Sequence, residues 1–174
     1  MSGGNIAGDR KGITILEIAI VIAIVGILAA LAVSSFREMN EKYKVEEETK
    51  QLFVDLMDAR GRAMQRGRFY FVRFTGTPVT RYATYEDCNP LPDGDCNYQS
   101  GLDNMVTGAT ITHTIVAGGG AANFAFNRNG IASTDSGTIR LSSNVNPDYD
   151  CITVRATRMK MGKYDAGTGI CVEK

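Results

Sequence analysis

The sequence predicts an α+β protein: one long N-terminal helix, then a domain of short antiparallel strands. Three observations carry this. No proline stands between residues 13 and 66, and apolar residues recur there without a break in helical pattern. Beyond Gly67 the pattern becomes alternation, with Phe69, Phe71 and Arg73 set against Tyr70, Val72 and Phe74. After that, turn signals such as Asn129-Gly130 separate runs too short for helices. The 174 residues suit one helix and one modest domain. A formal net charge of zero gives no overall attraction to nucleic acid or to acidic partners.

The helix opens on an unusual order. Arg10, Lys11 and Gly12 precede an apolar segment, residues 13–33, interrupted only by Glu17. A secretory signal carries its small-residue cleavage site after the apolar region; here the candidate cut, after Gly12, comes before it. The apolar segment therefore stays on the processed chain. Its length just spans a bilayer core, and the basic pair favours a cytoplasmic start and an exported C-terminus. Glu17 is not explained by anchoring. A carboxylate within a membrane helix costs on the order of 2–3 kcal/mol unless it finds a cation. Cleavage after Gly12 creates one, the new α-amino group of Ile13.

Helical spacing continues through residues 34–67. Phe36, Met39 and Tyr43 recur, and Leu52, Leu56, Ala59 and Ala63 form a stripe flanked by Phe53, Met57 and Met64, read as core. Between them lies a charged run, with Glu46, Glu47 and Glu48 against Lys42, Lys44 and Lys50, able to pair on a solvated face. This predicts one helix of about 50 residues, on the order of 80 Å, ended by Gly67. Gly26 and Gly61 each weaken it by up to about 1 kcal/mol. Residues 68–174 form the β-rich domain. Strands are expected at 69–74, 81–85, 110–116, 124–126, 138–141, 151–157 and 170–172, with a hairpin at Asn129-Gly130.

Four cysteines in an exported domain imply two disulfides, with three possible pairings. Pro90, Pro92, Asp93 and Gly94 favour closing a loop by Cys88–Cys96. Cys151 and Cys171 lie symmetrically about Met161, as two strands facing each other across a turn would place them. Zinc is disfavoured by the lack of a CxxC pair and by a single histidine, His113, read as a satisfied side chain in a Thr-rich strand. Glu86, Asp87, Asp93 and Asp95 read as a solvated acidic loop rather than a calcium site, since their spacing is not that of an EF-hand. No G-x-S-x-G, H-E-x-x-H or P-loop is present, and Gly118-Gly119-Gly120 lacks the Lys and Ser/Thr a phosphate loop needs. No catalytic residue, metal or cofactor is expected. An anchored enzyme would require a pocket for which the sequence offers no residues. Arg155, Arg158, Lys160 and Lys163 form a basic cluster that could attract phosphate or merely guard a strand edge.

The run R-K-G then I-T-I-L-E-I-A-I-V-I-A-I-V-G-I-L-A-A-L-A-V resembles the class III leader and N-terminal helix of the type IV pilin superfamily. Ile13 stands where that family usually has Phe, and Ser34 near where major pilins have Pro. Asp55-Leu56-Met57-Asp58-Ala59-Arg60-Gly61-Arg62-Ala63-Met64-Gln65-Arg66-Gly67 and Phe124-Ala125-Phe126-Asn127-Arg128-Asn129-Gly130, followed by Gly137-Thr138-Ile139-Arg140-Leu141, are similar to the GspH/FimT group of pseudopilins and minor pilins. The resemblance implies a lollipop shape. It implies a leader (1–12) cut by a prepilin peptidase at Gly12/Ile13 and N-methylation of Ile13. It implies that Glu17 attracts a neighbour's N-terminal amine and sets register in the filament. The partners would be other pilins or pseudopilins and an inner-membrane assembly platform. The chain would wait in the bacterial inner membrane with its C-terminal domain in the periplasm, then act as a structural or priming subunit of a type IV pilus or type II secretion pseudopilus. Some minor pilins of the group bind DNA through C-terminal basic residues, which makes DNA uptake through Arg155, Arg158, Lys160 and Lys163 the alternative.

Overall fold

The computed structural model describes residues 12–87, 96–118, 123–132 and 137–174. The chain divides into two units, Met1–Met39 and Asn40–Lys174. Helix α1 (Ile15–Arg66) is continuous in sequence through both. It begins two residues later than expected because Thr14 caps it. The Thr14 hydroxyl accepts the Glu17 N–H at 3.2 Å, and its carbonyl accepts from Ile18. In the first unit every described side chain of residues 12–39 is exposed. At the other end Gly67 adopts a φ of +62°, and Arg68 N–H returns to the Ala63 carbonyl at 3.3 Å. That 6→1 bond satisfies a carbonyl the helix leaves open, and glycine adopts this φ without a Cβ penalty.

In the second unit the helix buries Val45, Leu52, Leu56, Ala59 and Ala63 completely. Met57 and Met64, expected in the core, are exposed instead. They lie on the flank that turns away once the Leu52–Ala63 stripe faces inward. Nine strands among the described residues form two antiparallel sheets rather than one. The first, in the order β3-β2-β1-β5, contains β1 (Tyr70–Thr75), β2 (Arg81–Glu86), β3 (Asn104–Thr110) and β5 (Asn123–Phe126). The second, β4-β6-β7-β8-β9, contains β4 (Thr114–Ala117), β6 (Gly137–Ser142), β7 (Cys151–Val154), β8 (Met159–Asp165) and β9 (Ile170–Glu173). Tyr70, Val72, Phe124 and Phe126 from one sheet, and Ile139, Leu141, Ile152 and Val154 from the other, join the helix stripe in one core.

The expected strand at 110–116 is two strands in different sheets. Its break at residues 111–113 has a cause on the helix. Glu48 accepts the backbone N–H groups of Thr112 (2.8 Å) and His113 (3.1 Å), taking them out of any ladder. The Asn129-Gly130 turn forms as expected, with Gly130 at φ +70° and Asn127 Oδ1 accepting from Asn129 and Ile131. The hairpin does not: its return is a single bridge, Phe126 to Ala132, and β6 pairs with β4 and β7. Met161 is not in a turn either. It lies within β8, an unforeseen strand between β7 and β9.

The charged run on the helix holds the sheets. His113 is 7% exposed; its Nδ1 lies 2.7 Å from Glu48 Oε2 and its Nε2 2.9 Å from Glu41 Oε1. Glu46 accepts from Asp148 N–H, Asp55 from the Tyr82 hydroxyl at 2.6 Å, and Glu86 takes Arg66 and Arg68. Burial together with Asp55 pushes the Tyr82 hydroxyl well above its ordinary pKa. Burial opposes the charge on Glu48, yet the hydrogen bonds from Thr112 and His113 outweigh it and hold the carboxyl below its usual value. A depressed carboxyl adds stability above its unfolded pKa and loses it as pH falls through the folded one. Glu48→Gln should therefore lower stability at pH 7 and flatten the acid limb below about pH 4.3. His113→Ala, which strips the same carboxylate of a partner, should cost about 1–3 kcal/mol. Denaturant midpoints at pH 7 and pH 3 check both; an unchanged acid limb in Glu48→Gln would refute the assignment.

Candidate assembly site

The N-terminal residues singled out by sequence lie together at the start of α1. Gly12, Ile13 and Thr14 precede the helix, and Glu17 is in its first turn. The partial positive charge at a helix N-terminus favours a carboxylate there, which lessens the cost of Glu17 without cancelling it. Before it Ile15 is 91% exposed, and after it Ile22, Ile27 and Leu28 are more than 60% exposed. Among the described residues this is one helix long and apolar enough to cross a membrane. An apolar surface on all sides of a helix has no stable state in water; it needs lipid or other helices.

Of the C-terminal candidates, the Cys151–Cys171 pair forms as the spacing suggested, though not across a turn, and the basic residues are arranged differently. Cys151 and Cys171 are bonded, with Cα atoms 6.0 Å apart. The bridge joins β7 to β9 past β8, where Gly162 pairs with Cys151. A Cβ at Gly162 would overlap the Val172 carbonyl, so glycine lets β9 close in. Cys88 lies outside the described residues. Arg155 and Arg158 flank the β7–β8 turn, and Lys160 follows on β8; they lie 4.0, 3.8 and 2.9 Å from Glu173. The Lys160 hydrogen bond, with the two arginines behind it, keeps Glu173 below its ordinary pKa. Lys163 falls on the other face of β8 by alternation. The basic cluster is therefore three cations around a carboxylate on an edge strand, plus one cation apart. Sequence reasoning missed Glu173 because the pairing depends on β8, which it did not see.

The acidic loop also changes character. Glu86 is buried between Arg66 and Arg68 at 2.8 and 3.0 Å, and Asp87 is buried and accepts from Cys96 N–H. Asp93 and Asp95 lie outside the described residues. Among the described residues no group of three His, Cys, Asp or Glu side chains could hold a metal ion.

The family model described as Type II transport protein GspH matches residues 48–157. The chain belongs to the GspH family. The GspH match runs from the helix segment that docks the sheets to the β7–β8 turn. Among solved structures the chain is similar to the minor pseudopilin EpsH of the type 2 secretion system of Vibrio cholerae. The TM-score is 0.50 at 11% identity, covering 69% of this chain and 97% of that one. It is also similar to the type IV minor pilin FimU of Pseudomonas aeruginosa PAO1, with a TM-score of 0.49 at 15% identity, covering 70% and 90%. No curated protein matches. With GspH membership, a pilin-like α+β fold and an uncovered apolar N-terminal helix, the protein has a minor pilin or pseudopilin role: a type IV pilin-like subunit that assembles with others of its kind.

Proposed function

We propose that the chain is processed and assembled through residues 12–33. A prepilin peptidase cuts after Gly12 and methylates the Ile13 amine, which keeps its positive charge. The mature helix waits in the inner membrane with the β domain in the periplasm. An assembly platform then moves it into a filament core, where Glu17 pairs with a neighbour's Ile13 amine. The chain works as a structural or priming subunit, and no catalytic step is assigned to it. The observation that supports this most is the helix itself, apolar and exposed on every described face up to the charged segment. We also propose that Cys96 pairs with Cys88, beside the Cys151–Cys171 bridge.

The cells decide the assembly reading. Deleting the gene should abolish surface pili or secretion through the filament, with recovery on complementation; a deletant normal in both would refute it. Processing has its own test. The mature chain should begin at N-methylated Ile13 by intact mass, and Gly12→Val should retain the leader and stay out of filaments. A leader retained in the wild-type chain would refute the cleavage site.

A further inference from the structure

We propose that Arg140 on β6, stacked on Tyr164 of β8, receives an acidic side chain from a neighbouring subunit. The inference rests on the assembly reading and adds the surface used. Arg140 pairs in register with Val116 and Cys151, and Tyr164 with Cys171. Alternation puts these residues on the outer face of the second sheet, since Ile139 and Leu141 are buried on the inner one. The guanidinium lies 4.3 Å from the Tyr164 ring centroid. Among the described residues its buried Nε has no hydrogen-bond partner, and the one carboxylate whose charge it feels, Asp150, makes no ion-pair contact with it. Leaving such a donor buried and unmet is costly unless a ligand meets it.

Two hollows flank the stack. One, about 230 Å³, contains Asp150, whose carboxylate takes the Tyr164 backbone N–H at 2.6 Å. The other, about 150 Å³, is lined by Val116, Gly118, Thr138 and Gly169 with the stack, and has no acid among its described lining residues. A carboxylate would enter the second. That hollow is well below the roughly 300 Å³ at which small-molecule pockets begin, so it fits one side chain rather than a free ligand. Val116, 38% exposed, gives it an apolar rim. Arginine and tyrosine are among the residues that carry most energy at protein interfaces. Stacking fixes the guanidinium plane in advance, so little freedom is lost when a carboxylate docks on it.

The test uses the full chain, ¹⁵N-labelled, in detergent micelles, and follows the Arg140 Nε–H resonance, assigned by its loss in Arg140→Lys. Acetyl-Gly-Glu-Gly-amide should shift it saturably, and acetyl-Gly-Gln-Gly-amide should not. Tyr164→Leu should remove the response. No response, an equal response to the Gln peptide, or saturation by inorganic phosphate in preference to the Glu peptide would overturn the proposal. In isolated filaments, Arg140→Glu should be depleted relative to Arg140→Lys at equal membrane levels, and equal incorporation would overturn the subunit as occupant. If wild-type chain is itself absent from filaments, the assembly reading fails and the neighbouring subunit falls as occupant with it, while the resonance titration still decides whether the stack receives a carboxylate.

Discussion

Glu17→Gln should remove the chain from filaments while leaving it inserted in the membrane and cleaved after Gly12. Glutamine keeps the length and hydrogen-bonding groups of the side chain and deletes only its charge. On the proposed pairing, the neighbour's Ile13 amine would then enter an apolar core with no anion to meet it. An unpaired charge there costs on the order of 2–3 kcal/mol. At 1.4 kcal/mol per factor of ten, incorporation should fall roughly 30-fold or more. A second role must be separated from this one. Glu17 also sits in the first turn, where Thr14 caps the helix. Thr14→Val removes the cap at a cost of about 1 kcal/mol and leaves the charge in place. It should reduce incorporation far less than Glu17→Gln. The measurement is the amount of each variant in sheared, purified filaments relative to its amount in membranes. Incorporation of Glu17→Gln at wild-type level would refute the pairing. Equal losses in the two variants would assign Glu17 to capping.

What could be read from the chain, and what could not, divides by the range of the interaction. The helix was legible because its signals are local: the absence of proline, the Leu52–Ala63 stripe, and a glycine at the left-handed stop. Most strands were legible by alternation. The split of strand 110–116 was not, because its cause is Glu48, more than sixty residues away. The same holds for His113, whose two carboxylates come from the helix. The run Glu46-Glu47-Glu48 looks like a solvated face, and Lys50 does pair with Glu46 at 3.4 Å. Yet Glu46 and Glu48 also bind backbone groups of the β domain. Strand β3 hid because Thr107, Gly108 and Thr110 mark a loop as readily as a strand, and because its pairing with β2 shifts register between Thr84 and Tyr85. At the candidate site, Gly12, Ile13 and Glu17 were legible as a linear motif. The Arg140–Tyr164 stack was not, since it needs β8 in place beside β7.

Removing the Cys151–Cys171 bridge, whose two side chains are buried, should be strongly damaging to the β domain. The cysteines are 20 residues apart. Closing a loop of that length restricts the unfolded chain by about 3 kcal/mol. In a domain of this size such a loss should lower the melting midpoint by roughly 10 °C. The bridge also has a local task. It ties β9, an edge strand bearing exposed Ile170 and Val172, to β7 across Gly162. Without it, the last strand is held by β8 and by the Glu173 and Lys174 ion pairs with Lys160 and Asp148, which are exposed and worth little singly. A double Cys151→Ser, Cys171→Ser variant should thus lose protection of β9 amides in hydrogen exchange before global unfolding, while β1 and β2 stay protected. It should also loosen Tyr164, which pairs with Cys171, and so weaken the Arg140 response to the Glu peptide. Uniform protection of β9 in that variant would show that strand pairing alone holds the C-terminus, and that the bridge acts only on the unfolded chain.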